Sequence, residues 1–117
     1  MPISRLAECL LETKADLERE GVVHGIIGHV GDGNFHVQMI IDPNDPADVA
    51  CAEGVNERMV SRAIAMQGTC TGEHGIGLHK MGFLIEEAGV GTVNMMRTIK
   101  HALDPHNIMN PGKIFSW

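Results

Sequence analysis

Two histidines, His29 and His36, flank the dipeptide Asp32-Gly33 and could bind one metal ion together. The stretches on either side, Val22–Val30 and Asn34–Ile41, are rich in β-forming residues, and Asp-Gly between two such runs is a strong hairpin signal. If the dipeptide is the two-residue turn, His29 stands directly opposite His36. Opposed Cβ atoms lie about 4.5–5.5 Å apart, so both rings can reach one ion at Zn–N distances of about 2.0–2.1 Å. Two ordinary sheet histidines remain the alternative.

A second group of ionisable residues, Glu73 and His74, lies in the glycine-rich stretch Gly72–Gly77. Its three glycines allow positive φ and close approach by another group, so Glu73 could complete a set of two histidines and one carboxylate. Such a set leaves coordination positions open for a substrate oxygen. His74 would lie beside the ion, where a neutral imidazole can accept a proton. A tight turn, with His74 bonded to its backbone, explains the same residues.

Other polar residues near these motifs also have simpler explanations. Lys80 could pair with a substrate carboxylate, but a surface lysine in the first turn of a helix accounts for it as well. Asp32 could be a further metal ligand, although its place in the turn explains it. Asn110 precedes Pro111-Gly112, which fixes a turn of the backbone. The remaining histidines are expected at strand ends, helix surfaces or loops: His24, His79, His101 and His106.

The first half of the chain must position the histidine pair. Apolar residues at helical spacing, from Ile3 to Leu17, predict a helix whose start Ser4 can cap and whose stop Gly21 suits. Asp45-Pro46 suits the N-cap and first turn of a helix that runs to Gln67. In the hairpin, alternation separates a core face from an outer face. The core face comprises Ile26, Gly28, Val30, Phe35, Val37 and Met39, and the outer face Ile27, His29, His36 and Gln38.

The second half must position the glycine-rich stretch. A short strand is predicted at Thr69–Thr71, followed by helices at Leu78–Glu87 and Thr92–Leu103. Asp104-Pro105 ends the second helix, and the tail Asn107–Trp117 is expected to be irregular. Together these elements predict an α+β fold, with helices packed on one face of a small antiparallel sheet.

Composition narrows the classes of function. The 117 residues carry a formal net charge of −6, which argues against binding to nucleic acid or to an anionic membrane. No apolar run approaches the roughly 18 residues of a membrane-spanning helix. Three cysteines, Cys9, Cys51 and Cys70, include no Cys-x-x-Cys pair and are expected to be free thiols. We therefore expect one cytoplasmic domain, or a mitochondrial one if the source is eukaryotic.

Three motifs resemble those of a known family. Gly28–His36 is similar to the GHxGDGNxH motif of FAD-linked oxidases of the vanillyl-alcohol-oxidase type, and Gly72–Gly77 to their GEHGIG motif. Leu103–Pro105 and Asn110–Lys113 resemble their closing LDP…NPGK. Within this type, the chain resembles the D-lactate dehydrogenase and glycolate oxidase subunit group. The resemblance implies that the chain folds as the ferredoxin-like portion of the C-terminal domain of these proteins. It also implies FAD and oxidation of a 2-hydroxy acid to a 2-oxo acid.

The resemblance implies roles for single residues as well. His29, His36 and Glu73 match the ligands of a divalent metal, usually zinc. His74 matches the base that takes the hydroxyl proton while hydride passes to the flavin. A metal would lower the pKa of the hydroxyl, so an imidazole is a sufficient base. Asn110 matches a residue near the flavin, and Glu73 is placed with it at the cofactor side of the site.

The substrate implied is D-lactate, glycolate or D-2-hydroxyglutarate. Relatives of the hydroxyglutarate type tend to have Asn where Gln38 stands, so Gln38 favours D-lactate or a similar short acid. Gln38 and Lys80 are the candidates for substrate contacts.

Family members also carry a larger N-terminal FAD-binding domain, which these residues do not supply. We therefore expect a C-terminal fragment or a separately encoded piece that is inactive alone. Its partners would be the small 2-hydroxy acid, the flavin domain and an electron acceptor, namely a cytochrome, a quinone or an electron-transfer flavoprotein. The alternatives are a metal-binding module or metal-dependent hydrolase without flavin, and a non-catalytic remnant that forms a homodimer.

Overall fold

The computed structural model describes residues 1–117 and divides into two compact units, Met1–Thr69 and Cys70–Trp117. The first unit contains helix α1 (Ile3–Glu20), strand β1 (Val23–Ile27), strand β2 (His36–Ile40) and helix α2 (Pro46–Ala65), and the second contains helix α3 (Met81–Leu103). Three helices and one antiparallel strand pair confirm the α+β class. The short strand predicted at Thr69–Thr71 does not form. None of the helices combines the length and apolar character needed to cross a bilayer.

Helix α1 is bounded by a proline and a glycine. Pro2 occupies the N-cap position and no side chain caps the helix, so the prediction of Ser4 as N-cap is wrong. The reason is that the fixed φ of proline suits a helix start without a capping hydrogen bond. The predicted end is confirmed, since Gly21 adopts a left-handed φ of 70° and donates its N–H to Glu18 O at 3.1 Å. Glycine is favoured there because it has no Cβ.

Helices α1 and α2 share an ionic cluster around the buried carboxylate of Asp16. The Asp16 side chain is 2% exposed, and its carboxylate accepts a 2.8 Å hydrogen bond from Nε of Arg58 on α2. Arg19 pairs with the same carboxylate, and Arg62 reaches it at 3.6 Å. The buried apolar side chains of this unit are Leu6, Cys9, Leu17, Ala52, Val55, Val60 and Met66. The ion pairs from Arg58 and Arg62 therefore tie α2 to the buried carboxylate of α1.

Replacing Asp16 by alanine is expected to lower the free energy of unfolding by about 2 kcal/mol at neutral pH, because the arginines lose their shared acceptor. The hydrogen bond from Arg58 holds the pKa of Asp16 below its ordinary value of 3.8. The stabilisation is therefore complete above that value and is lost as the pH falls through the pKa of the folded state. Urea unfolding of both proteins at pH 7 and in acid measures this difference. Glu18→Ala, at an exposed pair with Lys14, is the control that should change stability little.

Helix α2 starts as predicted. Asp45 is its N-cap, with Oδ1 accepting from Ala47 N at 2.8 Å, and Pro46 fills the first position. The helix ends at Ala65, two residues before the predicted Gln67, which has a φ of 62°. Gly68 then donates to Ala63 O at 2.8 Å, and a Cβ at Gly68 would lie 2.7 Å from that oxygen. Only glycine fits this close return of the chain.

The strands pair in a different register from the predicted one. Val23 pairs with Ile40 and Ile27 with His36, so residues 28–35 form the connection and the predicted two-residue Asp-Gly turn is wrong. The connection holds a 3-10 turn over Val30–Asp32. Its backbone is satisfied locally, since Asp32 N and Asn34 N both donate to the His29 carbonyl at 2.9 and 3.3 Å. These local bonds take the place of the cross-strand bonds that a two-residue turn would have allowed next to it.

The side-chain faces follow the observed register. Ile26, Val37 and Met39 are half-buried on one face, as predicted, while Ile27 and Gln38 are exposed on the other. The other predicted core residues, Gly28, Val30 and Phe35, lie outside the strands, and Val30 is 60% exposed. Gly28 is needed for closure of the loop, because a Cβ there would lie 2.4 Å from Asn34 O.

The second unit is built on α3, which is interrupted at Gly89. This glycine has φ 78° and ψ 156°, outside helical values, and so separates the two segments that the sequence predicts as two helices. The first segment begins at Met81 rather than Leu78, with Lys80 as N-cap. The end at Leu103 is as predicted, and the tail has no regular secondary structure. Leu84 and Val93 are the buried apolar residues of the helix.

Candidate functional site

His29 and His36 come together at one end of the hairpin. Their ring centroids are 6.4 Å apart and their planes meet at 88°. His29 is exposed in the connection, at the start of the 3-10 turn, whereas His36 is half-buried as the first residue of β2. The predicted proximity is therefore present, although a folded loop produces it and not a direct cross-strand pairing. Two imidazoles at this spacing can turn ring nitrogens towards a common point.

Gln38 lies on the same face of β2 as His36, because side chains alternate along a strand. It is exposed and pairs across the sheet with Gly25, which offers no side chain against it. The neighbouring side chains on this face are apolar and exposed, Ile27 at 60% and Ile40 at 74%. The outer face thus presents one carboxamide among hydrophobic groups, next to an imidazole.

The glycine-rich stretch forms a sequence of left-handed turns. Gly72, Gly75 and Gly77 have φ values of 54°, 79° and 54°. Positive values are what the sequence predicts for these glycines. Between them, Glu73 and His74 are both exposed, with 3.6 Å from Glu73 Oε1 to His74 Nε2. The His74 N–H also donates to Thr71 O at 3.3 Å. A carboxylate and an imidazole are therefore held side by side on a loop whose shape only glycine allows.

Lys80 and Cys70 both make hydrogen bonds to residues of α3. Lys80 is half-buried and accepts at its carbonyl from Leu84 N at 3.1 Å, in the first turn of α3. Cys70 is 4% exposed, and its N–H donates to Glu87 Oε2 at 2.8 Å. Burial, followed by the contact with Glu87, raises the pKa of the Cys70 thiol to about 11. The thiol is therefore protonated at neutral pH, and all three cysteines are free as predicted.

Asn110 lies in the closing turn with a left-handed φ of 49°, exposed and ahead of Pro111. The same turn contains an ionic contact that the sequence analysis did not identify. Asp104, 4% exposed, pairs with Lys100 and accepts backbone N–H groups of the turn. Its sequence signal is the spacing of four residues between Lys100 and Asp104, which places both on one helical face.

Comparison with known proteins identifies the family of the chain. The family of FAD linked oxidases, C-terminal domain, matches residues 1–114. The chain belongs to this family. The family resemblance drawn from the three motifs is thereby confirmed.

Three relatives of the chain are named as dehydrogenases or oxidase subunits that act on 2-hydroxy acids. A probable mitochondrial D-lactate dehydrogenase of Danio rerio is 52% identical over 97% of this chain and 23% of its own length. A D-2-hydroxyglutarate dehydrogenase of Xanthomonas citri pv. viticola is 37% identical over 97% of this chain and 25% of its own. The glycolate oxidase subunit GlcD of Bacillus subtilis is 37% identical over 76% and 19%. The chain thus spans a quarter or less of the length of these relatives.

Proposed function

We propose that this chain is the metal- and substrate-binding part of a longer FAD-dependent dehydrogenase that oxidises a D-2-hydroxy acid to the 2-oxo acid. The convergence of His29 and His36, 6.4 Å apart between ring centroids, carries the proposal, because it falls inside one of the motifs that resemble the family. Membership of the family of FAD linked oxidases favours this function over a flavin-free hydrolase.

The proposed metal ligands are His29, His36 and Glu73. Two imidazoles and one carboxylate match the ligand preferences of zinc, and a fourth position stays open for a substrate oxygen. The exposure of His29 and Glu73 leaves room for that oxygen to approach. A bound divalent cation would polarise the substrate hydroxyl and lower its pKa.

His74 is the proposed base. Its imidazole would take the proton from the substrate hydroxyl. The hydrogen on the carbon that carries this hydroxyl would leave as hydride, so that the C–O bond becomes a carbonyl. FAD, held mainly by the rest of the longer protein, would supply the hydride acceptor. The Glu73 carboxylate lies 3.6 Å from His74 Nε2, so the proposed base stands beside a proposed metal ligand.

The remaining residues are proposed to bind substrate and flavin. Gln38 offers a carboxamide beside exposed Ile27, a surface suited to a short acid with a small apolar side chain. Lys80 offers a positive charge for the substrate carboxylate, and Asn110, together with Glu73, faces the flavin side. The higher identity to a D-lactate dehydrogenase, 52% against 37% for the other two relatives, favours D-lactate. The name of that relative also favours a mitochondrial location over a cytoplasmic one.

Anaerobic D-lactate is expected to bleach the flavin of the longer protein, whereas the 117-residue chain alone should be colourless and inactive. The reason is that the chain supplies metal ligands and a base but needs a hydride acceptor. Absorbance at flavin wavelengths and reduction of an artificial acceptor measure both proteins. Turnover of D-lactate by the isolated chain, or flavin-free cleavage of esters or amides by it, would show that the proposal is wrong.

A further inference from the structure

The carboxylate of Asp104 joins the end of α3 to the closing turn. It accepts the N–H of Ile108 at 3.0 Å and of Met109 at 2.9 Å, and it pairs with the Lys100 ammonium. Asp104 is only 4% exposed, and a buried carboxylate needs such donors to offset the loss of water. Lys100 contributes most to holding the pKa of Asp104 below its ordinary value.

Lys100 makes a second contact with the same turn. Its ammonium also donates to the carbonyl of Met109, so one side chain holds both the Asp104 carboxylate and the turn backbone. The turn backbone adds a hydrogen bond from Asn107 N to Asp104 O at 3.0 Å. Residues 104–109 are therefore fixed to the last helical turn from several directions.

The segment beyond this turn returns to the glycine-rich loop. The N–H of Ile114 donates to the carbonyl of Gly77 at 2.8 Å. Gly77 is the last residue of the stretch that carries Glu73 and His74. Ile114 makes this bond with a φ of 73°, a conformation that is unfavourable for a β-branched residue and persists only when its surroundings impose it.

We infer that Lys100 and Asp104 are positioning residues for the loop that carries Glu73 and His74. They hold the closing segment, residues 104–114, against α3, and this segment fixes the loop through the hydrogen bond from Ile114 to Gly77. The loop is rich in glycine and its own sequence imposes little rigidity, so an external anchor has a large effect on where its carboxylate lies. The inference rests on the proposed function, since the loop matters through its metal ligand and base.

The test compares Lys100→Met and Asp104→Asn with the unchanged 117-residue chain, using zinc chloride as the probe. Calorimetry is expected to give zinc affinity about tenfold weaker in both variants, within the range found when residues that support metal ligands are altered. Hydrogen exchange of the Ile114 amide should accelerate about tenfold, with faster exchange across Gly72–Gly77. Lys100→Arg, which can keep both contacts, should restore zinc affinity and protection.

Two controls separate positioning from general destabilisation. Val93→Ala removes buried apolar contact from the same helix but leaves the hydrogen bonds of Lys100 and Asp104 in place, and it should leave zinc affinity unchanged at a temperature where the chain is folded. Lys14→Met makes the same substitution as Lys100→Met at an exposed site, and it should also leave zinc affinity unchanged. Zinc affinity equal to that of the unchanged chain in Lys100→Met and Asp104→Asn would overturn the inference. If the unchanged chain binds no zinc, the metal proposal fails, and exchange across Gly72–Gly77 alone then supports or overturns the positioning role.

Discussion

Replacing His36 by alanine is expected to weaken zinc binding by this chain at least about 100-fold. The alanine removes one of three proposed protein ligands, and residues that only support metal ligands already contribute 10- to 100-fold. His36 is the better choice of the two histidines because it is half-buried at the start of β2, where its orientation is set by the strand. Isothermal calorimetry with zinc chloride, with equilibrium dialysis as a second method, gives the affinities.

The matched control is His79→Ala. His79 is exposed and belongs to none of the proposed ligands, so its loss should not change zinc affinity. His29→Ala should match His36→Ala, while Glu73→Gln keeps an oxygen ligand and should lose affinity less. Equal zinc affinity in the unchanged chain and in His36→Ala would contradict a metal site at this end of the hairpin.

The histidine pair shows which part of a site local sequence can predict. Residue types around Asp32-Gly33 indicate a chain reversal, and a reversal brings His29 towards His36 whatever its detailed form. The register itself depends on where backbone groups of the connection find partners. Here Asp32 N and Asn34 N bond to the His29 carbonyl, which lengthens the connection and moves the first cross-strand pair to Ile27 and His36. Proximity was therefore predictable, whereas register was not.

Helix ends also include some features that the local sequence predicts and others that it does not. Asp45 and Gly21 act through their own side chain or φ value, so their effects on α2 and α1 follow from sequence. Gly89 also separates two helical segments as its low helix propensity suggests. Ser4 failed as a predictor because Pro2 two residues earlier already provides the start of the helix. When two nearby residues could each start a helix, only the structure shows which of them does.

Contacts between distant residues were not accessible from local pattern. The Asp16–Arg58 pair joins residues 42 positions apart, and Ile114 reaches Gly77 from the far end of the second unit. Hydrophobic spacing identifies which face of a helix is buried but does not identify the charged partner across it. The anchoring of the glycine-rich loop therefore emerges only from the structure, although each motif is visible in the sequence.

In the longer protein, His74→Asn is expected to slow flavin reduction by D-lactate about 10²- to 10⁴-fold, the usual contribution of a general base. Asparagine preserves polarity and approximate size at an exposed position, so the loop backbone should keep its shape. Its carboxamide does not accept the hydroxyl proton at neutral pH, and the reaction loses its base. Anaerobic stopped-flow absorbance of the flavin measures the rate at saturating D-lactate.

Zinc content and flavin content distinguish this loss from damage to the site. Both should equal those of the unchanged protein, because His74 is not among the proposed metal ligands and Glu73 remains in place. His79→Asn, the same substitution five residues along the chain, should reduce flavin at the unchanged rate. If His74→Asn retains zinc and reduces flavin within a few-fold of the unchanged rate, another group must take the proton. His74 would then be an exposed residue of the turn, whose backbone N–H donates to Thr71 O at 3.3 Å whatever the side chain, and would have no part in the chemistry.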